Sequence, residues 1–213
     1  MAEVKAVSKD GIAVHTEAAD LPALHETIAS LFAAQGNWER AYQHLRSALE
    51  RDPLTSGYNR RFLDQRLAQL DGHHVALAMV DIDLFKDVND TFGHLVGDRV
   101  LQRVAALLKQ ELPRDAFCAR YGGEEFALVM PGLTAREALT TVERARLRVA
   151  RYPWHRIRPG LVVTVSAGLT ARRGRAEERL READALLYAA KRAGRNVVAC
   201  PDSEIPGQIR HSR

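Results

Sequence analysis

The sequence predicts an α+β fold in which a mixed central sheet is flanked by helices. Three apolar runs, 75–80, 126–130 and 161–169, are typical of buried strands, and the third is rich in β-branched residues. Between them, apolar residues recur every three or four positions, as on the buried face of a helix. Taken in order, the elements read β-α-β-β-α-β with one further helix and strand. This order indicates a split βαβ core rather than a doubly wound sheet.

The composition is that of a globular protein. The chain has 213 residues, of which 46% are hydrophobic and 27% are charged, enough for one ordinary domain and a smaller extension. No apolar run approaches the length needed to cross a bilayer, and the first residues lack a secretory signal. We therefore expect a cytoplasmic protein without a membrane partner.

Cysteine count and charge narrow the possible chemistry further. Cys118 and Cys200 are the two cysteines, too few for a disulfide framework and without zinc-ligand spacing, so both are expected to be reduced thiols. The net charge of +4 comes mainly from arginines on expected helix faces. Because aromatic residues are not interleaved with these arginines, nucleic-acid binding is unlikely on this sequence.

The N-terminal region, residues 1–51, is predicted to be an arm followed by a helical hairpin. Helical spacing runs from about residue 21 to 32 and again from 38 to 49, with a break at Gly36 and a stop at Pro53. The pattern resembles the second half of a tetratricopeptide unit. One such unit cannot bury its own faces, so it packs on the rest of the chain, binds a protein partner, or lacks earlier repeats. A plain linking helix pair is the alternative.

The region 52–200 is predicted to form the main domain, followed by a polar tail at 201–213. A helix is expected at 60–70, a strand at 75–83, and helical spacing again from Leu101 to Leu112. A capping box formed by Thr134 and Glu137 indicates the start of a helix that continues to Val149. The remaining expected elements are a strand at 161–169, a helix at 177–193 ended by Gly194, and a strand at 196–199.

Two acidic clusters mark the candidate site. Gly122 and Gly123 lie between two strand-like runs, where they permit a hairpin turn with positive φ, and Glu124 and Glu125 follow at once. Taken alone, this is an ordinary surface turn with solvated glutamates. However, Asp81 ends another apolar strand. If the two strands are neighbours, Asp81 and Glu124 converge on a hard divalent cation such as Mg²⁺.

These motifs resemble the GGDEF family of diguanylate cyclases in its Gly-Gly-Glu-Glu-Phe form. The resemblance rests on residues 120–126, on the opening segment 52–61, and on 188–196, which is similar to the family's closing signature. The opening segment departs from the family pattern at Ser56 and Gly57. The resemblance extends from Asp52 to about Cys200 and implies the palm-like fold shared with adenylyl cyclases.

The resemblance also implies a metal site for Mg²⁺ or Mn²⁺. Its ligands are Asp81, the backbone carbonyl of Ile82, Glu124 and Glu125, and the two glutamates and Asp81 are the catalytic residues. Which glutamate deprotonates the attacking hydroxyl is left open. Asp83 either caps the following turn or adds a metal contact, and the cap is favoured.

The remaining implied residues bind GTP. Asn89 and Asp98 stand at the positions that the family uses for guanine, although either alone is typical of a turn or a helix cap. The triphosphate is assigned to Lys86, Lys191, Arg195 and the backbone amides of Leu84 and Phe85, with Gly122 and Gly123 leaving space for the nucleotide. The alternative is that these cations at a helix C-terminus only interact favourably with the helix dipole and bind no phosphate.

The implied function is the condensation of two GTP molecules into cyclic di-GMP across a homodimer. Many family members bind their product at an Arg-x-x-Asp site, whose positions here hold Pro113 and Ala116. We therefore expect no product inhibition through this site. The alternatives are a catalytically inactive receptor for GTP or cyclic di-GMP, and a scaffold whose helical hairpin recruits a partner.

Overall fold

The computed structural model describes residues 6–7, 13–14 and 21–201, with side chains from residue 26 onward. Most of the expected N-terminal arm, and the expected polar tail apart from Pro201, lie outside these residues. The chain divides into two compact units, residues 1–56 and 57–213. Each unit is described by itself below.

The first unit contains a small sheet and a helical hairpin. Strands β1 (Ala6–Val7) and β2 (Ala13–Val14) pair antiparallel. Helices α1 (Leu21–Ala34) and α2 (Trp38–Glu50) pack against each other, and the Asn37 side chain caps α2 by accepting a hydrogen bond from the Arg40 amide. Four large apolar side chains of α2 stay exposed: Trp38, Tyr42, Leu45 and Leu49. The spacing of these four residues places them on one face of α2.

The described part of the second unit, residues 57–201, contains five α-helices and five strands. The helices are α3 (Arg60–Gln69), α4 (Phe85–Phe92), α5 (His94–Gln110), α6 (Ala135–Ala150) and α7 (Ala176–Arg192). The strands are β3 (His74–Ile82), β4 (Phe117–Arg120), β5 (Glu125–Pro131), β6 (Val165–Arg173) and β7 (Val198–Ala199). A short 3₁₀ turn, Trp154–Arg156, follows α6. The expected α+β class is confirmed.

The five strands form one mixed sheet in the order β4-β5-β3-β6-β7. Only β7 runs parallel to its neighbour β6, and the other pairs are antiparallel. The central strand β3 pairs with β5 on one side and with β6 on the other. This places the carboxyl end of β3 beside the start of β5, which is the part of the sheet where the acidic clusters lie.

Strand β3 is buried on both faces, which explains its nearly continuous apolar sequence. Because side chains alternate along a strand, its odd-numbered residues face α3 and α7, and its even-numbered residues face the opposite layer. The odd-numbered face forms a core with these residues: Leu63, Leu67, Val75, Leu77, Met79, Ala127, Val129, Ala183 and Leu187. Asp81 and Asp83 continue the odd-numbered face, so both aspartates lie on the α7 side of the sheet.

Helix α7 packs directly on the backbone of β6 at Gly168. A Cβ atom built there would lie 2.1 Å from the carbonyl oxygen of Ala183 and 2.1 Å from the amide nitrogen of Leu187. Only glycine allows so close an approach of helix to strand. This contact sets how closely α7 packs on the sheet. The last turn of α7 reaches the candidate site.

Several elements differ from the sequence-based expectation. Helix α4 was not predicted, and the strand expected at 161–169 instead begins at Val165 and extends to Arg173. The physical reason for the shift is pairing, because β6 follows the whole length of β3, from Ile82 opposite Val165 to His74 opposite Arg173. In the part of the chain that the structure describes, no helix has the length and apolar character needed to span a bilayer.

Candidate active site

Asp81 stands at the end of β3, opposite Glu125 of β5 and Ser166 of β6. The residue is 5% exposed, and its Oδ2 atom accepts a hydrogen bond from the Nζ of Lys191 at 2.8 Å. Burial raises the pKa of Asp81, and the ammonium of Lys191 acts against that rise. The candidate site therefore contains a buried carboxylate that is held beside a cation from α7.

Glu124 and Glu125 lie next to Asp81 across the strand pair. The Ile82 amide donates to the carbonyl oxygen of Glu124 at 3.3 Å, which extends the β3–β5 ladder past the end of β3. Burial raises the pKa of both glutamates, and the negative charge of Asp81 raises it further, while Lys191 lowers it. Three carboxylates thus share a small region that contains one ammonium. The positive charge of Arg195 also acts on Asp81, and that of Arg60 acts on Glu125.

The hairpin turn before Glu124 differs from the expected one. Neither Gly122 nor Gly123 adopts a positive φ. The turn is closed instead by Arg120, whose guanidinium donates to the carbonyls of both glycines at distances between 2.7 and 3.2 Å. A Cβ on Gly122 would lie 2.7 Å from Oε2 of Glu125, whereas a Cβ on Gly123 would meet nothing within 4 Å. Gly122 therefore leaves room for the Glu125 carboxylate, and Gly123 leaves open space.

Among the described residues, no group of three or more acidic, histidine or cysteine side chains is already arranged to hold a metal ion. Asp81 is the most buried of the three candidate carboxylate ligands, and the ammonium of Lys191 lies beside it. The donor set is nevertheless suited to Mg²⁺ or Mn²⁺, because carboxylate and carbonyl oxygens are the ligands that these ions prefer. The residues fit a divalent cation once Lys191 leaves Asp81.

Asp83 does not cap the turn that follows it, so the favoured cap was wrong. Its Oδ1 accepts from the Ser166 hydroxyl at 2.6 Å, and its Oδ2 accepts from the Thr164 hydroxyl at 2.7 Å and from the Asn196 amide at 3.0 Å. The side chain is 7% exposed. Asp83 thus binds the start of β6 and the turn after α7, and its carboxylate oxygens are already occupied by donors.

The N-terminus of α4 lies directly after the acidic end of β3. Leu84 has a left-handed backbone with φ 54°, which allows the chain to turn sharply from strand to helix. Phe85 is buried, and Lys86 is exposed, with its Nζ 3.8 Å from Asp90. Backbone amides in the first turn of a helix have no partner within the helix and favour anions. The predicted phosphate-binding amides of Leu84 and Phe85 are at this end.

Asn89 of α4 lies against the start of α5. A Cβ on Gly97 would lie 2.0 Å from Oδ1 of Asn89. Asp98 follows Gly97 on α5, so the structure brings the two residues predicted to bind guanine to the same helix pair. Glycine at position 97 is what allows the Asn89 amide to lie there.

The end of α7 supplies the basic residues. Lys191 is in the last turn of the helix, and Arg195 follows in a turn where Gly194, Arg195 and Asn196 all have positive φ. An open cavity of about 490 Å³ borders this turn and is lined by Leu84, Asp87, Val88, Val162, Thr164 and Arg195, among others. The structure therefore brings Lys191 to the acidic cluster, and Arg195 to a cavity beside the α4 N-terminus.

The segment 113–116 forms an exposed turn between α5 and β4, closed by a hydrogen bond from the Ala116 amide to the Pro113 carbonyl. Pro113 and Ala116 have no polar side-chain atoms. Arg114 and Asp115 are adjacent and exposed. The spacing in an Arg-x-x-Asp motif is not reproduced here.

Sequence reasoning missed three functional contacts. These are the Lys191–Asp81 ion pair, the clamp of Arg120 on the glycine turn, and the contacts of Asp83. For Asp83 a signal was available, because strand alternation puts residues 81 and 83 on one face. No local signal identifies the partners of Lys191 or Asp83, because they are distant in sequence.

Comparison with known proteins matches residues 49–197 to the family model described as "Diguanylate cyclase, GGDEF domain". The chain is 39% identical over 184 residues to the diguanylate cyclase DgcP of Pseudomonas aeruginosa, an alignment that covers 83% of this chain and 27% of DgcP. The chain thus spans about a quarter of the length of that relative.

Two solved structures are also similar. The coiled coil and GGDEF domain of DgcB from Caulobacter crescentus, in complex with c-di-GMP, matches with a TM-score of 0.71 and 32% identity, covering 84% of this chain and 100% of that one. The diguanylate cyclase SiaD from Pseudomonas aeruginosa, in complex with its activator SiaC, matches with a TM-score of 0.70 and 36% identity, covering 85% and 73%. The palm-like fold expected from the sequence is the fold of these proteins.

Proposed function

Because this chain belongs to the GGDEF family of diguanylate cyclases, we propose that it condenses two GTP molecules into cyclic di-GMP and two pyrophosphates. The observation that carries the proposal is the pairing of Asp81 with Glu125 at adjacent strand ends inside the matched segment. Phosphoryl transfer needs negative charge to be neutralised and the attacking group to be positioned, which carboxylate-bound metal ions do.

In each half of the reaction, a 3′-hydroxyl oxygen forms a bond to the α-phosphorus of the other nucleotide. The bond from that phosphorus to the pyrophosphate oxygen breaks, and pyrophosphate leaves. The hydroxyl proton passes to a carboxylate, for which Glu124 and Glu125 are the two candidates. Burial and the charge of Asp81 raise the pKa of both glutamates, which makes either a better base than an ordinary glutamate.

Asp81, the Ile82 carbonyl, Glu124 and Glu125 would hold Mg²⁺ or Mn²⁺, which supplies positive charge against the phosphate oxygens when bound. In this proposal, Lys191 leaves Asp81 and contacts the triphosphate. The other phosphate contacts come from Arg195, Lys86 and the amides of Leu84 and Phe85. The open space at Gly123 supports placing the nucleotide against the hairpin.

Asn89 and Asp98 bind the guanine base in this proposal. A carboxylate accepts hydrogen bonds from N1 and N2 of guanine, and an amide group donates to O6 or N7. The close contact of Asn89 with Gly97, the residue before Asp98, supports a shared pocket. An adenine base lacks this donor and acceptor pattern, so the site should prefer GTP.

The active species in this proposal is a homodimer. One site of this kind holds one GTP, whereas the product joins two, so two protomers face each other and each supplies one nucleotide. Sedimentation of the chain under assay conditions tests this. Full activity from a strictly monomeric species would refute the dimer.

We also infer that the helical hairpin binds a protein partner. Trp38 is 69% exposed and Tyr42 is 62% exposed, and a cavity of about 560 Å³ beside them is lined by Ala29, Ala33 and Ala41, among others. SiaD, one of the similar proteins, was solved with its activator SiaC. Sedimentation of wild type and Tyr42→Glu tests whether the partner is a second copy, and equal profiles would rule out self-association through this face.

Product inhibition through the segment 113–116 is not expected, because neither Pro113 nor Ala116 has a polar side-chain atom with which to bind a guanine or a phosphate. Inhibition by micromolar cyclic di-GMP that disappears when residues 113–116 are changed would contradict this.

The decisive test of the function is incubation of the purified chain with GTP and Mg²⁺, followed by chromatography for cyclic di-GMP. We expect product from wild type and none from Asp81→Ala or Glu125→Ala, with the fold of both variants checked by circular dichroism. GTP binding without any product would instead support a receptor. Near-normal product from either variant would refute the assigned site.

A further inference from the structure

Asp83 is a buried acid that the proposed chemistry does not use. It accepts three hydrogen bonds, from the hydroxyls of Thr164 and Ser166 and from the backbone amide of Asn196, at 2.6 to 3.0 Å. Its own amide donates to the Thr164 carbonyl at 3.0 Å. A carboxylate that accepts this many hydrogen bonds can remain buried without a cation, and removing it would leave the fully buried Ser166 hydroxyl without this acceptor.

The amide that Asp83 binds belongs to a strained turn. Arg195 has φ 63° and Asn196 has φ 48°, so two consecutive residues other than glycine adopt left-handed backbone. Such residues persist only where the surrounding structure holds them. Here the turn is held from several sides: Asp83 binds the Asn196 amide, the Arg146 guanidinium donates to the Asn196 side chain at 2.8 Å, and the Ala167 amide donates to the Val197 carbonyl.

Two aspartates on one face of β3 therefore hold the end of α7 in different ways. Asp81 binds the side chain of Lys191, which in the proposed function moves to the triphosphate. Asp83 binds the backbone after Arg195, a contact that a nucleotide or a metal need not disturb. Of these two aspartate contacts, only that of Asp83 still acts on the turn once Lys191 has moved.

We propose that Asp83 is a positioning residue, which holds the left-handed turn 195–196 so that the Arg195 guanidinium meets the triphosphate of the nucleotide. The inference rests on the proposed function, since it needs a triphosphate in the site. A metal-ligand role fits Asp83 less well, because both of its carboxylate oxygens already accept hydrogen bonds from protein donors.

Calorimetric binding of two probes in Mg²⁺ tests the proposal. 3′-Deoxy-GTP lacks the attacking hydroxyl and is not turned over, and 3′-deoxyguanosine is the same ligand without phosphates. Asp83→Ala should weaken binding of 3′-deoxy-GTP about tenfold, the effect of one charge-assisted hydrogen bond, and leave the nucleoside unchanged. Adding Asp83→Ala to Arg195→Ala should cost no further affinity, since both remove the same contact.

Asp83→Asn separates positioning from metal binding. Its amide oxygen can still accept the Asn196 amide while its NH₂ group donates to a hydroxyl, so affinity for 3′-deoxy-GTP should stay within about threefold of wild type. If Asn is as damaging as Ala, or if Asp83→Ala weakens both probes equally, or if the two substitutions add, the positioning role is wrong. A wild-type chain that binds neither probe would overturn the proposed function and this inference with it.

Ser166→Ala provides a second route if Asp83→Ala does not fold. It removes one donor to the Asp83 carboxylate and adds no bulk at a fully buried position. We expect a loss of about threefold for 3′-deoxy-GTP alone, because Asp83 then has two of its partners. An unchanged affinity for 3′-deoxy-GTP in a folded Ser166→Ala protein would count against the proposal.

Discussion

Replacing Gly168 with alanine should separate α7 from the sheet. The added Cβ would lie 2.1 Å from two backbone atoms of α7, about 1.3 Å short of the 3.4 Å at which ordinary contact begins. Overpacking costs about 1–3 kcal/mol where side chains can adjust. Here the obstacles are the backbone of Ala183 and Leu187, so we expect a loss of at least about 3 kcal/mol in the free energy of unfolding, a large part of the stability of an ordinary domain.

Urea unfolding, followed by circular dichroism, measures this loss. Gly123→Ala is the matched control, because a Cβ there meets nothing within 4 Å, and its stability should stay within about 0.5 kcal/mol of wild type. Since α7 carries Lys191, Gly168→Ala should also weaken GTP binding under conditions where the variant is folded. A loss of less than about 1 kcal/mol would show that α7 does not pack on β6 as described.

Three further outcomes are expected. Gly97→Ala should displace the Asn89 side chain, which a Cβ would approach to 2.0 Å, and lower the preference for GTP over ATP in competition binding; an unchanged preference would remove Asn89 from the guanine pocket. Glu125→Gln should stabilise the metal-free protein at pH 8 by roughly 0.5 kcal/mol after solvent screening, since the folded-state pKa of Glu125 is raised. This gain should shrink as the pH falls through that pKa, and thermal unfolding that shows no pH dependence would contradict it. Burial raises the pKa of Cys118 to about 12, so iodoacetamide at pH 8 should label Cys200 but not Cys118 until urea is added, as mass spectrometry can verify.

Local signals in the sequence were enough for several elements. Thr134 and Glu137 form the predicted capping box, with each residue binding the other's backbone amide. The strand around Val75 was recognisable because both of its faces are buried, which leaves an uninterrupted apolar run. These features depend on neighbours in the chain or on composition alone, so they can be identified without the fold.

Elements that depend on packing were missed or displaced. Helix α4 contains Asp87, Asn89 and Thr91, which are poor helix formers, and it forms because Phe85 and Val88 are buried. Residues 161–164 are as apolar as a strand, and Leu161 and Val163 are buried without belonging to one. Sequence pattern alone cannot tell burial in a loop from burial in a strand.

The candidate site likewise contains some contacts that local sequence predicts and others that depend on the tertiary fold. The approach of Asp81 to Glu124 and its neighbour could be predicted because neighbouring strands bring their ends together, although the residue directly opposite Asp81 is Glu125 and not Glu124. The hydrogen bond from Asn196 to Asp83 joins residues 113 positions apart, and that from Thr164 joins residues 81 apart. Contacts at such separations are set by the tertiary fold and leave no local trace.

In the ion pair between Lys191 and Asp81, the Lys191 ammonium serves as the counter-ion of the buried carboxylate while no ligand is bound. A divalent ion that arrives alone competes with the Lys191 ammonium for Asp81. An ion that arrives already bound to GTP brings phosphates that can receive the same ammonium. If GTP is the substrate, as proposed, we expect metal and nucleotide to enter the site as one complex.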